Sequence, residues 1–400
     1  VVHEVAVVTN RVGRPKVIIV GAGLGGLAAA LALAKRGFDV EVHEQARTLR
    51  EVGAGLTLSR GAQRVLEDIG VLAAVRQQAS VTRAMAFLHY RTGALLDGGY
   101  DHSDGSIDDG RGAGMHIHRS DLHTILTEAF VERRPGALVL GHQLVGVEDR
   151  GAKVSAVFGD RSSATGDLLV GADGLRSAVR TLLWGHDVPS FTGQVAYRCL
   201  VPGSIAAPFL ERAGRAAVYF GPDRVFNRYS LRKGAIVNCV AIARTDTWRE
   251  EGWTTPATRS ELLALYDGWH QDVRGLMASA PSDGLAKWAL YDREPLERWG
   301  LGRATLLGDA AHPMLPFLGL GAAMAIEDGV VLARALELEP DAGGLERYEA
   351  ARLARTESVM LDARREGRLV QSGDPDRYDA AAAPSRNPVY YDFDPVNQAI

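Results

Sequence analysis

Lys16-Val17-Ile18-Ile19-Val20 runs directly into Gly21-Ala22-Gly23-Leu24-Gly25-Gly26, and this junction decides the fold. The first five residues are a short β-branched run of the kind that forms a strand buried on both faces. The glycines match GxGxxG. Helix formers follow from Leu27 to Lys35, Gly37 supplies a stop, and a second strand is expected from Phe38 to His43, ending at Glu44. Glu44 lies eighteen residues beyond Gly26. Strand, glycine turn, helix, strand and acid in this order describe a dinucleotide-binding βαβ unit. Gly21 allows the tight turn, Gly23 lets a pyrophosphate approach the backbone, and Gly26 lets the helix pack closely on the strand. The helix N-terminus then faces the phosphates. Glu44 at the end of the second strand suits ribose hydroxyls, and argues for FAD or NAD over a 2′-phosphorylated nucleotide.

The stretch from Val17 to Ala34 carries no charge, and its length is near the lower limit of a membrane span. Its four glycines make strand, turn and helix the better reading. No basic leader or cleavage-site pattern precedes it, and the first fifteen residues read as a short tail. The 400 residues are 46% hydrophobic and 24% charged, with a formal net charge of −4. That is ordinary globular composition, without the bulk positive charge that attracts nucleic acid or an anionic membrane. The two cysteines, Cys199 and Cys239, form no disulfide framework, which points to a reducing, cytoplasmic compartment.

Two further motifs separate FAD from NAD. Leu168-Leu169-Val170-Gly171-Ala172-Asp173-Gly174 reads as a strand ending in Gly-Ala-Asp-Gly, with a helix starting near Ser177. Ala304-Thr305-Leu306-Leu307-Gly308-Asp309 ends a strand at Gly-Asp, before Gly319-Leu320-Gly321 and a helix from Ala322 to Leu336. An Asp there can accept hydrogen bonds from a ribityl chain, and the helix N-terminus can stabilise charge on a reduced flavin.

With these three motifs the chain resembles the class A flavoprotein aromatic hydroxylases, the p-hydroxybenzoate hydroxylase fold group. The likeness extends to salicylate hydroxylase, 3-hydroxybenzoate 6-hydroxylase and 6-hydroxynicotinate 3-monooxygenase through Glu51-Val52-Gly53-Ala54-Gly55-Leu56, His118-Arg119-Ser120-Asp121-Leu122-His123, Tyr291-Asp292-Arg293-Glu294-Pro295 and Met324-Ala325-Ile326-Glu327-Asp328. It covers about residues 16 to 355. The resemblance implies that Gly21, Gly23 and Gly26 hold the FAD pyrophosphate and Glu44 its ribose, that Arg119 lies near FAD, and that Asp309 binds the ribityl chain. It puts Asp173 between FAD and the incoming nicotinamide, and the backbone of Gly321, Ala322 and Ala323 beside the flavin. FAD is expected to be non-covalent. No second credible GxGxxG is present, since Gly110 to Gly114 follows an acidic loop, so NADH or NADPH is expected as a transient co-substrate.

The implied fold class is α/β: a Rossmann-like, glutathione-reductase-like FAD-binding domain (about 16–81, 113–186 and 294–338), with an inserted substrate domain on a mainly antiparallel sheet (82–112 and 187–293). Residues 339–370 read as helix, and the tail from Gln371 as irregular. Strands are expected at Ala217–Phe220, Val225–Leu231 and Ile236–Ile242. Val225, Asn227, Tyr229 and Leu231 share one strand face by period two. The family points that face at an aromatic substrate, making Tyr229 and Asn227 the catalytic candidates and Thr57, Val225, Pro316 and Phe317 further pocket residues.

Two positions depart from 3-hydroxybenzoate 6-hydroxylase: Val225 stands where a His is expected and Pro316 where a Gln is expected. This speaks against 3-hydroxybenzoate and leaves no evident side-chain base. Leu320 replaces a usual Gln. His116, His118 and His123 lack the carboxylates or cysteines that would complete a metal site, so no metal is expected. Trp248, Trp253 and Trp269 are expected to pack the substrate domain. The activity implied is hydroxylation of a small phenolic or heteroaromatic acid by molecular oxygen through a flavin C4a-hydroperoxide, in a soluble monomer or homodimer. The rivals are other chemistry on the same fold (decarboxylative hydroxylation, epoxidation, urate-type oxidation) and a non-catalytic flavin-binding regulator.

Overall fold

The computed structural model describes residues 14–49, 55–101, 114–211, 216–245, 248 and 255–400. Glu51 to Ala54, Gly110 to Ala113 and Trp253 lie outside them. The apolar run Lys16–Val20 is the central strand of a five-stranded sheet, in the order Ala304–Leu306, Leu168–Gly171, Lys16–Val20, Asp39–Glu44, Leu138–Leu140. Every neighbouring pair is parallel. Val17, Ile18 and Ile19 are fully buried, as a strand covered on both faces requires.

The helix after the glycines starts earlier than its sequence suggests, at Leu24 rather than Leu27, and ends at Lys35 as expected. Gly25 and Gly26 sit in its first turn because the space beside them is filled. A Cβ on Gly25 would lie 2.8 Å from Leu307, and one on Gly26 would strike the Gly21 carbonyl. Helix Gly321–Leu338 packs along this first helix, and both are buried through most of their length.

A second, eight-stranded sheet runs in the order Thr255–Pro256, Ala286–Asp292, Ser190–Pro202, Ile236–Arg244, Arg224–Leu231, Ala216–Gly221, Ala84–His89, Tyr100–Asp101. It is antiparallel except where Ala216–Gly221 meets Ala84–His89. One of its faces packs under helices Arg259–Leu265 and Gln271–Ala278, around Tyr219, Phe226, Tyr266 and Trp269. Trp248 also packs there. The opposite face joins the core of the parallel sheet through Ala196, Phe220, Val225 and Ile242. A small antiparallel sheet, Gly55–Leu58, Gly114–His118 and Ser80–Thr82, lies against strand Arg224–Leu231.

The long C-terminal helix spans Ala342–Val370. The tail beyond it follows the expected irregular path, with short turns at 375–377, 380–382 and 384–386 and one helical turn at Pro388–Tyr391. It is nonetheless well packed. Tyr378 sits 4.7 Å from the Phe220 ring, and Arg386 donates to the Gly98 carbonyl at 2.9 Å. Among the described residues no helix is long and apolar enough to cross a membrane.

Candidate active site

The motifs converge because the sheet is parallel: the ends of its strands all point one way, and ligands of such sheets bind outside those carboxyl ends. Gly21 follows the first strand, Glu44 closes the second, Asp173 follows the third and Asp309 the fourth.

The three glycines of the first turn serve three purposes. Gly21 has φ +106°, in the region that only glycine occupies cheaply, and a side chain there would strike the Ala172 carbonyl. Gly26 lies against the Gly21 carbonyl. A Cβ on Gly23 would meet nothing within 4 Å, so open space lies over the loop where a pyrophosphate must come. No side chain caps the helix that begins there, and its first turn carries no acid, so its N–H groups are left for an anion. Glu44 braces the loop: Oε2 accepts from Ala22 N–H at 2.9 Å and Oε1 from Ala46 N–H at 2.8 Å. Each oxygen keeps a lone pair for a ribose hydroxyl.

Asp309 is exposed, yet burial raises its carboxyl above the usual range, while His312 and Arg119 pull it down. Crowded by protein yet open to solvent, Asp309 lines the candidate cleft outside the strand ends. The influence of Arg119 puts that half-buried side chain beside the same cleft. The turn itself is clamped from below. Asp328, fully buried, accepts from Gly308 N–H at 3.0 Å and from His312 Nε2 at 2.6 Å. Burial alone would raise the Asp328 carboxyl, but the charges of His312 and Arg352 outweigh it and hold it at about 2. Helix Gly321–Leu338 starts over this cleft without a capping side chain, with Gly321 and Ala322 half-exposed and Ala323 buried. These features fit FAD: an open glycine cradle, two uncapped helix starts and a carboxylate beside them.

Asp173 is used differently from the other acids. It accepts from the Ser177 hydroxyl and from the N–H groups of Ala178 and Val179, so it braces the start of helix Ala178–Trp184, which Ser177 caps. Burial raises its carboxyl, and these hydrogen bonds oppose the rise.

Across the cleft, strand register sorts the second sheet into stripes. Arg198, Val240 and Asn227 lie directly opposite one another on three adjacent strands, and so do Leu200, Asn238 and Tyr229. Ala196, Ile242 and Val225 form the next row. This face therefore carries a polar stripe beside an apolar one. Asn227 Oδ1 and Asn238 Nδ2 are buried without a partner among the described residues. Arg198 is 8% exposed, with its guanidinium 5.0 Å from the Trp288 ring centroid. Burial lowers its pKa, Tyr229 opposes that, and Arg119 adds to it.

Tyr229 is 5% exposed, and its ring stacks on His116 with centroids 4.2 Å apart. Burial pushes its phenol well up, so it stays protonated. His116 Nδ1 lies 3.1 Å from Thr57 Oγ1, and burial lowers the imidazole to about 4. The neutral His116, Thr57 and Tyr229 thus form one cluster. Thr57 also borders the Gly319–Gly321 loop, its Oγ1 3.7 Å from a Cβ placed on Gly319. Pro316 is exposed on that loop, and the Phe317 ring lies against Gly367 of the long helix. His118 meets Ser120 Oγ at 2.6 Å and His123 meets the Ala22 carbonyl at 2.7 Å, both structural uses. No group of metal-ligating side chains occurs among the described residues.

Sequence reasoning missed Arg198, Asn238, and the Asp328–Arg352 clamp, and it read His116 only as structural. Alternation of strand residues puts Arg198 and Asn238 on definite faces, but only the register brings those faces beside Tyr229.

The model of the FAD binding domain family matches residues 14–363. A 3-amino-4-hydroxybenzoate 2-monooxygenase of Streptomyces platensis is 34% identical over 357 residues, covering 88% of each chain. A 6-hydroxynicotinate 3-monooxygenase of Pseudomonas fluorescens is 33% identical over 351 residues, 86% of this chain and 89% of that one. The crystal structure of Klebsiella pneumoniae HpxO with FAD and uric acid superposes with a TM-score of 0.79 at 26% identity, covering 93% of this chain and 92% of that one. Sequence match, fold and cleft agree, and the chain belongs to the FAD-binding family of class A aromatic hydroxylases, as an FAD-dependent monooxygenase.

Proposed function

We propose that the enzyme hydroxylates a small aromatic acid bearing a phenolic or heteroaromatic hydroxyl, held between the flavin and the polar and apolar stripes of the second sheet. The observation that carries this reading is Arg198. A guanidinium this deeply buried, shifted by no carboxylate among the described residues and opposed by a second arginine, calls for an anion. A substrate carboxylate supplies it, and the row of Ala196, Ile242 and Val225 accepts the apolar part of the ring. The relatives named above act on 3-amino-4-hydroxybenzoate and 6-hydroxynicotinate, both acids of this class.

Bound FAD supplies electron transfer from NAD(P)H and the activation of oxygen. The residues of this chain bind and orient. Gly21, Gly23 and Gly26 hold the pyrophosphate, Glu44 the ribose, and Asp309 the ribityl chain, with Arg119 and the backbone of Gly321, Ala322 and Ala323 at the flavin. Asp173 braces its helix at the edge where NAD(P)H enters. Tyr229 stays protonated and donates a hydrogen bond to the substrate oxygen, favouring its ionised form without itself acting as a base. Asn227 accepts or donates beside it, and Thr57 and Pro316 border the pocket from the flavin side. We assign the parallel sheet to a glutathione-reductase-like FAD domain and the eight-stranded sheet to an inserted substrate domain. A cytoplasmic location fits the two free, buried cysteines.

The test is a panel of hydroxylated benzoates and nicotinates beside their carboxamides, scored for stimulated NADH and NADPH oxidation and for a product gaining one oxygen atom. The acids should stimulate and the carboxamides should not. Equal response to an acid and its amide would remove Arg198 from the carboxylate role.

A further inference from the structure

The family match stops at residue 363, and the tail beyond it has no part in the three fingerprints. Its course nevertheless passes along the loop before helix Gly321–Leu338. Tyr391 donates to the Leu318 carbonyl of the flavin loop at 3.2 Å. Arg64 fixes the next two residues, donating to the carbonyls of Asp392 and Phe393 at 3.0 and 2.9 Å and to Asp392 Oδ1 at 2.9 Å. That grip sets the Phe393 ring against two arginines of the long helix, 4.0 Å from Arg355 and 5.4 Å from Arg352.

Both arginines belong to the clamp beneath the flavin turn. Arg355 donates to Glu327 Oε2 at 3.2 Å, and Arg352 donates to Glu327 Oε2 at 3.0 Å and to Asp328 Oδ1 at 2.7 Å. The other oxygen of Asp328 holds Gly308 N–H and His312. Glu327, Asp328 and Arg352 are fully buried. An ion-pair cluster of this kind keeps its geometry only while it is satisfied and dry. An aromatic face over a guanidinium does both, attracting the cation and excluding water. The contacts thus run unbroken from Phe393 through Arg352 and Arg355 to Glu327 and Asp328, and on to the turn that carries Asp309.

We propose that the C-terminal tail is a cofactor-retention element, with Phe393 a positioning residue that holds the Gly308–Asp309 turn in shape for FAD. The inference rests on that turn contacting FAD. Removing the ring lets water reach the cluster and slackens the hold of Asp328 on Gly308, at a distance from any atom that touches the cofactor.

The experiment titrates deflavinated protein with FAD, following flavin fluorescence and the visible circular dichroism of the bound ring, for wild type, Phe393→Ala, Phe393→Tyr and Arg64→Gln. The thermal midpoint of each apoprotein is measured in parallel. Phe393→Ala should raise the Kd for FAD about tenfold and alter the dichroism, the scale of a lost cation–π contact in a dry site. Phe393→Tyr should restore both, and Arg64→Gln, which loosens the grip on Asp392 and Phe393 without touching the cluster, should weaken binding in the same direction. A folded Phe393→Ala with wild-type Kd and dichroism overturns the proposal, as does a loss that tyrosine fails to rescue. Should Phe393→Ala not fold, Arg64→Gln decides, and an unchanged Kd there overturns it. Wild-type apoprotein that takes up no FAD would refute the cofactor assignment itself, and the role of the tail with it.

Discussion

Asp309 and Tyr229 sit on opposite sides of the cleft, and their substitutions separate cofactor binding from chemistry. On the proposed contact with the ribityl chain, Asp309→Ala loses a charge-assisted hydrogen bond, which costs about 1.5–3 kcal/mol, or roughly ten- to a hundredfold in FAD affinity. Equilibrium dialysis measures it, and full FAD retention would mean the carboxylate does not reach the ribityl chain. Tyr229→Phe keeps the ring stacked on His116 and removes only the hydroxyl. FAD binding should persist while product formed per NADH consumed falls and hydrogen peroxide rises, with hydroxylation slowed about 10²-fold. Wild-type coupling would reduce Tyr229 to a packing residue. At this scale the sequence was informative about the glycines and Glu44, because one βαβ unit contains the whole signal. It was uninformative about Arg198, whose neighbours Val240 and Asn227 are distant in the chain and meet it only through strand register.

Among the elements, the first helix is the most constrained. Its second residue fills against Leu307 and its third against the Gly21 carbonyl, which is why it begins a turn earlier than its propensity suggests. Gly26→Ala should therefore displace the helix from the strand and weaken FAD binding more than Gly23→Ala, whose methyl group meets only open space in the protein. Parallel FAD titrations check the order, and equal effects would mean that the pyrophosphate, not helix packing, limits both positions. The strands of the second sheet were legible from alternation, and so was the pairing of Val225, Asn227 and Tyr229 on one face. The small sheet was not, because Gly55–Leu58 and Ser80–Thr82 are too short to carry a period and gain their identity from Gly114–His118 between them. The histidine cluster there followed the same fate: His116 draws its meaning from Thr57 and Tyr229, on two other strands.

For the whole molecule, the proposed site lies between two sheets, and on that reading a nicotinamide must reach a flavin that the substrate side covers. Substrate should therefore accelerate flavin reduction by NAD(P)H. Stopped-flow reduction that is equally fast with and without an aromatic acid from the responsive set would contradict such gating. The overall class was readable because three fingerprints occur in one order; the packed course of the tail was not, since its composition is that of a loose segment and its order comes from Phe220, Arg64 and Arg355 elsewhere. One consequence concerns synthesis. The central strand Lys16–Val20 emerges early, but the strand Ala304–Leu306 that completes its sheet comes far later. At about 5–20 residues per second, a ribosome leaves the uncharged Val17–Ala34 run waiting for tens of seconds. The nascent chain then displays a sticky, half-built nucleotide fold that invites chaperone capture until the late strand covers it.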